Sequence, residues 1–177
     1  MSDADRLRWD ARHHDRVPRT GPSPWLRRCA TRFAPRSRIV DLAAGLGEDV
    51  SWLLDEGHDA RAVDVSPVAA ARATARDPRI HYTVADLDTW RAEAATLDVV
   101  VVQHYLDRTL WPRIREGLAP GGLLVTEVLT EGTPFGRRFQ AKRGELLRAW
   151  LDWHVLAYEE VRTDERVLSR LFVERPA

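Results

Sequence analysis

The run Arg38-Ile39-Val40-Asp41-Leu42-Ala43-Ala44-Gly45-Leu46-Gly47-Glu48-Asp49 is the part of the sequence best equipped for chemistry. A short apolar strand ends in an acidic residue, small residues and two glycines follow, and a helix then begins. Glycine lets backbone approach a ligand where a side chain would collide. A dinucleotide fingerprint wants a further glycine at or near Val50, and here the spacing fails. Asp41 also precedes the glycines, where a pyrophosphate gains nothing from a carboxylate. The pattern points to a cationic ligand on this loop. Metal and triad chemistry are not supported, because no histidine, cysteine and carboxylate set has ligand spacing and no serine sits in a nucleophile elbow.

The elements that must position this loop are read from periodicity. Ser2 to about Asp15 reads as a surface helix or arm, and Ser23-Pro24 starts a helix that carries Trp25, Leu26, Cys29 and Phe33 and stops near Pro35. From Ser37 onward, short apolar runs alternate with helical segments, the signature of stacked β-α-β units. Strands are expected at 38–42, 60–65, 80–85, 97–102 and 122–129, and helices at 48–56, 68–75, 107–118 and 145–151. Ser66-Pro67 repeats the cap-then-proline start, and the continuously apolar Val99 to Val102 suits a central strand covered on both faces. Strands at 153–161 and 166–174, joined by Arg162-Thr163-Asp164-Glu165, form an antiparallel hairpin. The expected fold is α/β: a Rossmann-like, doubly wound, mostly parallel sheet of seven strands with an antiparallel C-terminal hairpin.

Length and composition bound the rest. A chain of 177 residues is the size of one domain, here a helical arm or lid over 1–36 and a Rossmann-like core over 37–177. The first ten residues lack the apolar segment of a secretory signal, no apolar stretch could span a bilayer, and Cys29 is the single cysteine. A cytoplasmic protein with no membrane partner is the expectation. Lysine plus arginine and aspartate plus glutamate each number 27, which argues against a polyanionic partner such as nucleic acid. The balance is a sum of opposites: residues 1–40 hold ten basic and four acidic groups, 41–130 hold eight and fifteen, and 131–177 hold nine and eight.

The acidic-plus-glycine loop, Asp64 ending the second strand, Asp86 after the third and Ala119-Pro120-Gly121-Gly122 before the fifth form an ordered set. That set resembles class I S-adenosylmethionine (SAM)-dependent methyltransferases over residues 38–175. The resemblance implies SAM as cofactor, held by Asp41, Ala43, Gly45 and Gly47 on the loop, and by Asp64, with Val65 beside it, at the ribose hydroxyls. It further places Asp86 on the adenine amine, the Leu87 N–H facing the ring, and Gln103 beneath the cofactor. Ala43 stands for the family's common glycine and Ala44 for its common cysteine; both are small. Within the class the chain is most similar to small bacterial TehB-like methyltransferases of the tellurite-resistance and thiopurine type. The likeness rests on Trp9-Asp10-Ala11-Arg12, Ser23-Pro24-Trp25-Leu26, Tyr105-Leu106-Asp107-Arg108 and Gly144-Glu145-Leu146-Leu147. In that group the N-terminal segment folds over the cofactor, which makes Trp9 and His13 lid residues; the plainer reading has Trp9 anchoring an amphipathic helix to the core.

Methyl transfer from a sulfonium is an in-line displacement, so holding donor and acceptor in geometry and excluding water come first. A base helps only if the acceptor arrives as a hydroxyl or protonated amine. His104, directly after strand four, with Tyr105 beside it, is the candidate; a histidine bonded to a local carbonyl is the structural alternative. Arg108, Arg137 and Arg138, the last two in a loop with Lys142, Arg143, Phe135 and Phe139, are candidate contacts for a small anionic acceptor, or simply a solvated basic surface. The function implied is SAM-dependent methylation of a small molecule. The alternative is a SAM-binding sensor or scaffold without turnover, and a nicotinamide oxidoreductase is disfavoured by the missing glycine.

Overall fold

Serine followed by proline starts two helices in the way the sequence predicts. In this computed structural model, which describes residues 3–134, 136 and 139–177, Ser23 Oγ accepts from Leu26 N at 3.4 Å ahead of α2 (Pro24–Ala30). Ser66 Oγ accepts from Ala69 N at 3.0 Å ahead of α4 (Pro67–Arg76). Each cap satisfies an orphan N–H, and each proline occupies a position whose own N–H would have no partner. The chain divides into two compact units, Met1–Arg91 and Ala92–Ala177.

The first unit contains α1 (Asp3–Asp15), α2, β1 (Arg38–Leu42), α3 (Glu48–Asp55), β2 (Asp59–Asp64), α4 and β3 (His81–Val84). Its strands run parallel in the order β3-β2-β1, with Ile39 opposite Ala60, Asp41 opposite Ala62 and Ala62 opposite Tyr82. Leu42, Leu46, Val50 and Leu53 are buried with Trp25 and Leu26, and Ala69 and Ala73 give α4 a buried face of small residues.

The second unit contains β4 (Leu97–Gln103), a 3₁₀ turn at Arg108–Leu110, α5 (Trp111–Gly117), β5 (Leu118–Leu129), α6 (Glu145–Ala149), β6 (His154–Arg162) and β7 (Val167–Glu174). The order is β4-β5-β7-β6, with β4 and β5 parallel and the hairpin strands antiparallel. Val99 to Val102 are all buried, as a strand covered on both faces requires. With seven strands among the described residues, the fold is the expected α/β, Rossmann-like, mostly parallel architecture with its antiparallel hairpin.

Beyond shifts of one or two residues, three boundaries differ from the sequence reading. α2 ends at Ala30, with Thr31 as its C-cap, so it stops short of Pro35 and leaves Phe33 outside the helix. The helix expected over 107–118 is split, because the Asp107 carboxylate accepts from both Thr109 N and Thr109 Oγ1, at 2.9 and 2.8 Å, and closes a 3₁₀ turn; Pro112 then sits in the first turn of α5. β5 begins at Leu118 and not at Gly122, and the register jumps from Leu97 opposite Leu118 to Val99 opposite Leu123. The extra residues bulge at Ala119-Pro120-Gly121-Gly122. A Cβ on Gly122 would lie 2.7 Å from the Ala119 carbonyl oxygen, so the bulge excludes any side chain there. No helix among the described residues is long and apolar enough to cross a membrane.

Candidate functional site

The glycine-rich loop after β1 is held in a left-handed conformation: φ is 59° at Ala43, 54° at Gly45 and 68° at Gly47. Glycine adopts this region without penalty, whereas Ala43 does so at a cost of about 1 kcal/mol or more. Asp64, at the end of β2, ties the loop down by accepting from Gly45 N through Oδ2 at 2.9 Å and from Ser66 N through Oδ1 at 3.0 Å. Tyr82, on β3, donates its hydroxyl to the Gly45 carbonyl at 2.6 Å, so this one peptide position is fixed on both sides. Burial, then the nearby Asp64, Asp41 and Glu48 carboxylates, push the Tyr82 phenol upward and keep it a donor.

Beneath the loop lie four buried carboxylates, Asp41, Glu48, Asp49 and Asp64. Asp41 is 2% exposed. Burial, and then Asp49, with Glu48 and Asp64 adding further repulsion, raise its carboxyl well above the ordinary range against the pull of Arg19. Burial also raises Asp49, although it accepts from Ser23 N at 2.7 Å and Arg19 Nη2 at 3.1 Å. Burial opposes charge on Glu48 too, but the Arg19 amide at 3.1 Å and the Arg16 guanidinium at 2.5 Å hold it below the usual value. Two arginines face these four carboxylates, and burial pushes Asp41 and Asp49 towards their neutral forms, a shift that a positively charged ligand would oppose.

The chain before α2 closes over this region. Asp10, on α1, accepts from Ser66 Oγ at 2.5 Å. Arg72, on α4, donates through Nη1 to the carbonyls of His13, His14 and Arg16, the last two at 2.8 and 3.0 Å, and so caps the C-terminal end of α1. His13 is 7% exposed and stacks on Trp9, with ring centroids 5.8 Å apart. Its Cε1 stands 3.2 Å from where a Cβ on Gly45 would lie, and its buried Nδ1 has no hydrogen-bond partner among the described residues. Burial lowers the His13 pKa, with the Asp64 carboxylate opposing. The His13 ring occupies the space that Gly45 leaves free of a side chain, and its buried, unpartnered nitrogen is a polar atom that a ligand's polar group would satisfy.

The first unit therefore brings together Trp9, His13, Asp41, Ala43, Gly45, Gly47, Asp64 and Val65. Asp86 and Leu87 follow β3: the Asp86 carboxylate accepts from Asp88 N at 2.9 Å and its carbonyl from Thr89 N and Trp90 N, while Leu87 is buried. In the second unit Gln103 closes β4 and is buried. His104 has a left-handed φ of 58° and its Nε2 lies 3.3 Å from Glu127 Oε1. The Tyr105 ring is 6.5 Å from that of Phe139, and Arg108 is bidentate on Glu145 at 2.5 and 2.9 Å. Arg137 and Arg138 lie outside the described residues. No set of three or more histidine, cysteine or acidic residues among the described residues could hold a metal.

Sequence reasoning missed Tyr82, Arg16, Arg19, Arg72 and Glu127. Arg72 and Arg76 repeat four apart in an alanine-rich helix, so they share one face, and Arg76 Nη2 donates to the Leu46 carbonyl at 2.7 Å. That spacing was a readable signal; the partners of the others depend on strand register and on the path of the arm.

The family model described as "Methyltransferase domain" matches residues 12–172. The trans-aconitate 2-methyltransferase of Methylobacterium radiotolerans is 36% identical over 117 residues, covering 62% of this chain and 44% of its own length. The chain thus spans less than half of that curated relative. Among solved structures, TehB from Haemophilus influenzae superposes with a TM-score of 0.76 at 18% identity, covering 89% of this chain and 63% of that one. A SAM-dependent methyltransferase from Mesorhizobium loti gives 0.67 at 19% identity, covering 93% and 96%. At these identities the structural likeness speaks for the fold.

Proposed function

The chain belongs to the methyltransferase-domain family, and we propose that it transfers the methyl group of SAM to a small-molecule acceptor. The observation that carries the reading is the buried cluster of Asp41, Glu48, Asp49 and Asp64 under a left-handed loop, with His13 Nδ1 unpartnered against Gly45. A ligand bearing a sulfonium and an ammonium offsets the burial, and then the carboxylate repulsion, that raise Asp41, and its hydrogen-bonding groups suit His13. When bound, SAM supplies an electrophilic methyl carbon on a positively charged sulfur, transferred by in-line displacement.

The chain's own residues bind, orient and shield. Asp41 supplies charge complementary to the cationic end. Each Asp64 oxygen already accepts one backbone N–H and keeps a further lone pair, which suits the two hydroxyls of a ribose. Ala43, Gly45 and Gly47 present backbone without bulk, with Val65, Asp86 and Leu87 in the following turns and Gln103 at the end of β4. Trp9 and His13, pinned by Arg72, cover the loop and exclude water. His104, with Tyr105, is the proposed base for an acceptor that needs one.

Calorimetric titration with SAM, S-adenosylhomocysteine and NAD tests the cofactor assignment. SAM and S-adenosylhomocysteine are expected to bind; binding of NAD alone would overturn it. Labelled methyl transfer to phenols, amines, thiols, metalloid oxyanions and trans-aconitate, the last because of the curated relative, then tests turnover.

A further inference from the structure

Helix α3 carries Glu48, Ser51, Trp52 and Asp55 at steps of three, one and three residues, so the four share one face. That face lines a cavity of about 170 Å³, together with Arg19 from the stretch joining α1 to α2 and Arg76 at the end of α4. All six residues belong to the first unit. None of them is among the residues proposed to contact the cofactor. At about 30 Å³ for each water, the cavity has room for roughly five waters or a molecule of similar bulk.

The polar groups around it are unevenly committed. Glu48 accepts from Arg16 Nη2 at 2.5 Å and from Arg19 N at 3.1 Å. Asp55 accepts from Arg79 Nη2 at 2.7 Å, and the Ser51 hydroxyl donates its one proton to Asp77 at 2.6 Å. The two lining arginines are each anchored at one end: Arg19 Nη2 donates to Asp49 at 3.1 Å, and Arg76 Nη2 donates to the Leu46 carbonyl at 2.7 Å. Arg76 meets no carboxylate among the described residues. A guanidinium carries five N–H donors, so each arginine keeps several for a ligand. Anchoring also removes rotamer freedom that an exposed arginine would otherwise lose on binding. Anchored cations with donors to spare, beside carboxylates that already have arginine partners, select an anion. Two such cations on separate elements select two negative charges, and the half-buried Trp52 offers an apolar wall to the carbon that joins them.

We propose that this cavity binds a small organic dianion, a short dicarboxylate or a phosphate monoester, between Arg19 and Arg76. The inference goes beyond methyl transfer and stands apart from it. The bound dianion ties the stretch after α1 to the end of α4, where Arg76 also holds the glycine-rich loop through Leu46. It is thereby an effector that steadies the N-terminal arm on that loop, since a ligand that binds the docked arrangement stabilises it.

The test is calorimetric titration of the full chain at low ionic strength with succinate, glycerol 3-phosphate, acetate and glycine, the last two serving as monoanion and zwitterion. Succinate or glycerol 3-phosphate is expected to bind at one site per chain, at least about tenfold tighter than acetate or glycine, and the one that binds names the dianion. Arg76→Gln, an exposed substitution, should weaken that binding by about tenfold or more. Asp55→Asn, which removes an exposed negative charge from the lining, should tighten it by about twofold. The Arg19 amide, which donates to Glu48, should exchange more slowly with the dianion present in the wild type and at an unchanged rate in Arg76→Gln. If Arg76→Gln does not fold, Arg19→Gln must show the same loss of binding. Binding of neither dianion, dianions bound no tighter than acetate or glycine, wild-type affinity in Arg76→Gln, or weaker binding in Asp55→Asn overturns the inference.

Discussion

Replacing Arg72 by methionine should loosen the N-terminal helix without unfolding the sheet behind it. Methionine keeps much of the apolar stem and removes the guanidinium. Arg72 Nη1 reaches three carbonyls, of His13, His14 and Arg16, but one nitrogen has two hydrogens, so the contacts amount to at most two shared hydrogen bonds. Hydrogen bonds from a charged group contribute roughly 1.5–3 kcal/mol each. Sharing and partial exposure reduce the total here to about 2 kcal/mol, which is about thirtyfold in the opening equilibrium of α1 at 1.4 kcal/mol per factor of ten. The remaining ties, Ser66 to Asp10 and Arg16 to Glu48, both at 2.5 Å, keep the opening local. Amide hydrogen exchange is the assay. Amides of residues 8–15 should exchange about ten- to thirtyfold faster in the variant, and those of β1 at the wild-type rate. Unchanged protection in α1 would refute the reasoning, as would an equal loss in β1, which would make Arg72 a global stabiliser.

Two further outcomes follow from the same geometry. Because burial holds His13 below its ordinary value of 6.5, the released arm binds more protons than the docked one just below that pH; docking strengthens as pH rises through the window and is lost as pH falls through it. Protection of α1 should therefore decline from about pH 7 to about pH 5 in the wild type and stay level in His13→Gln, and a level wild-type profile would contradict the assignment. Asp64→Asn keeps the shape but removes the charge and replaces one of the two accepting oxygens with an NH2 donor, facing the N–H of Gly45 or Ser66, and should weaken SAM binding by about 1.5–3 kcal/mol, or roughly ten- to over a hundredfold in Kd. Wild-type affinity, read by calorimetry, would remove Asp64 from the site.

Much of this architecture was legible because it is written in local rules. Ser23-Pro24 and Ser66-Pro67 announce capped helices, the valine run announces β4, and the acid-then-glycine order announces the loop after β1. Gly122 was legible as a turn residue, although the bulge that requires it was not, since a bulge is a property of two strands in register. Residues that find partners far along the chain were hidden for the same reason. Tyr82 meets Gly45 across 37 positions and Arg170 meets Glu127 across 43. The 107–118 segment misled because a helical composition was overruled by one aspartate side chain bonding to Thr109 and by Pro112.

Helix α4 serves as a ruler of fixed length. Ser66 at its cap meets Asp10 on α1, Arg72 caps the end of α1, and Arg76 reaches the Leu46 carbonyl in the glycine-rich loop. Three contacts on two separate segments are thus measured off along ten helical residues. One inserted residue would turn everything after it by about 100°, swinging Arg72 or Arg76 off its mark and rotating Ala73 out of the buried face. Substitutions at the exposed Pro67, Ala71 and Ala75 leave the spacing intact. Over evolutionary time this stretch should drift freely in composition at those positions while admitting no change in length, so that gaps among its descendants fall in the loops on either side.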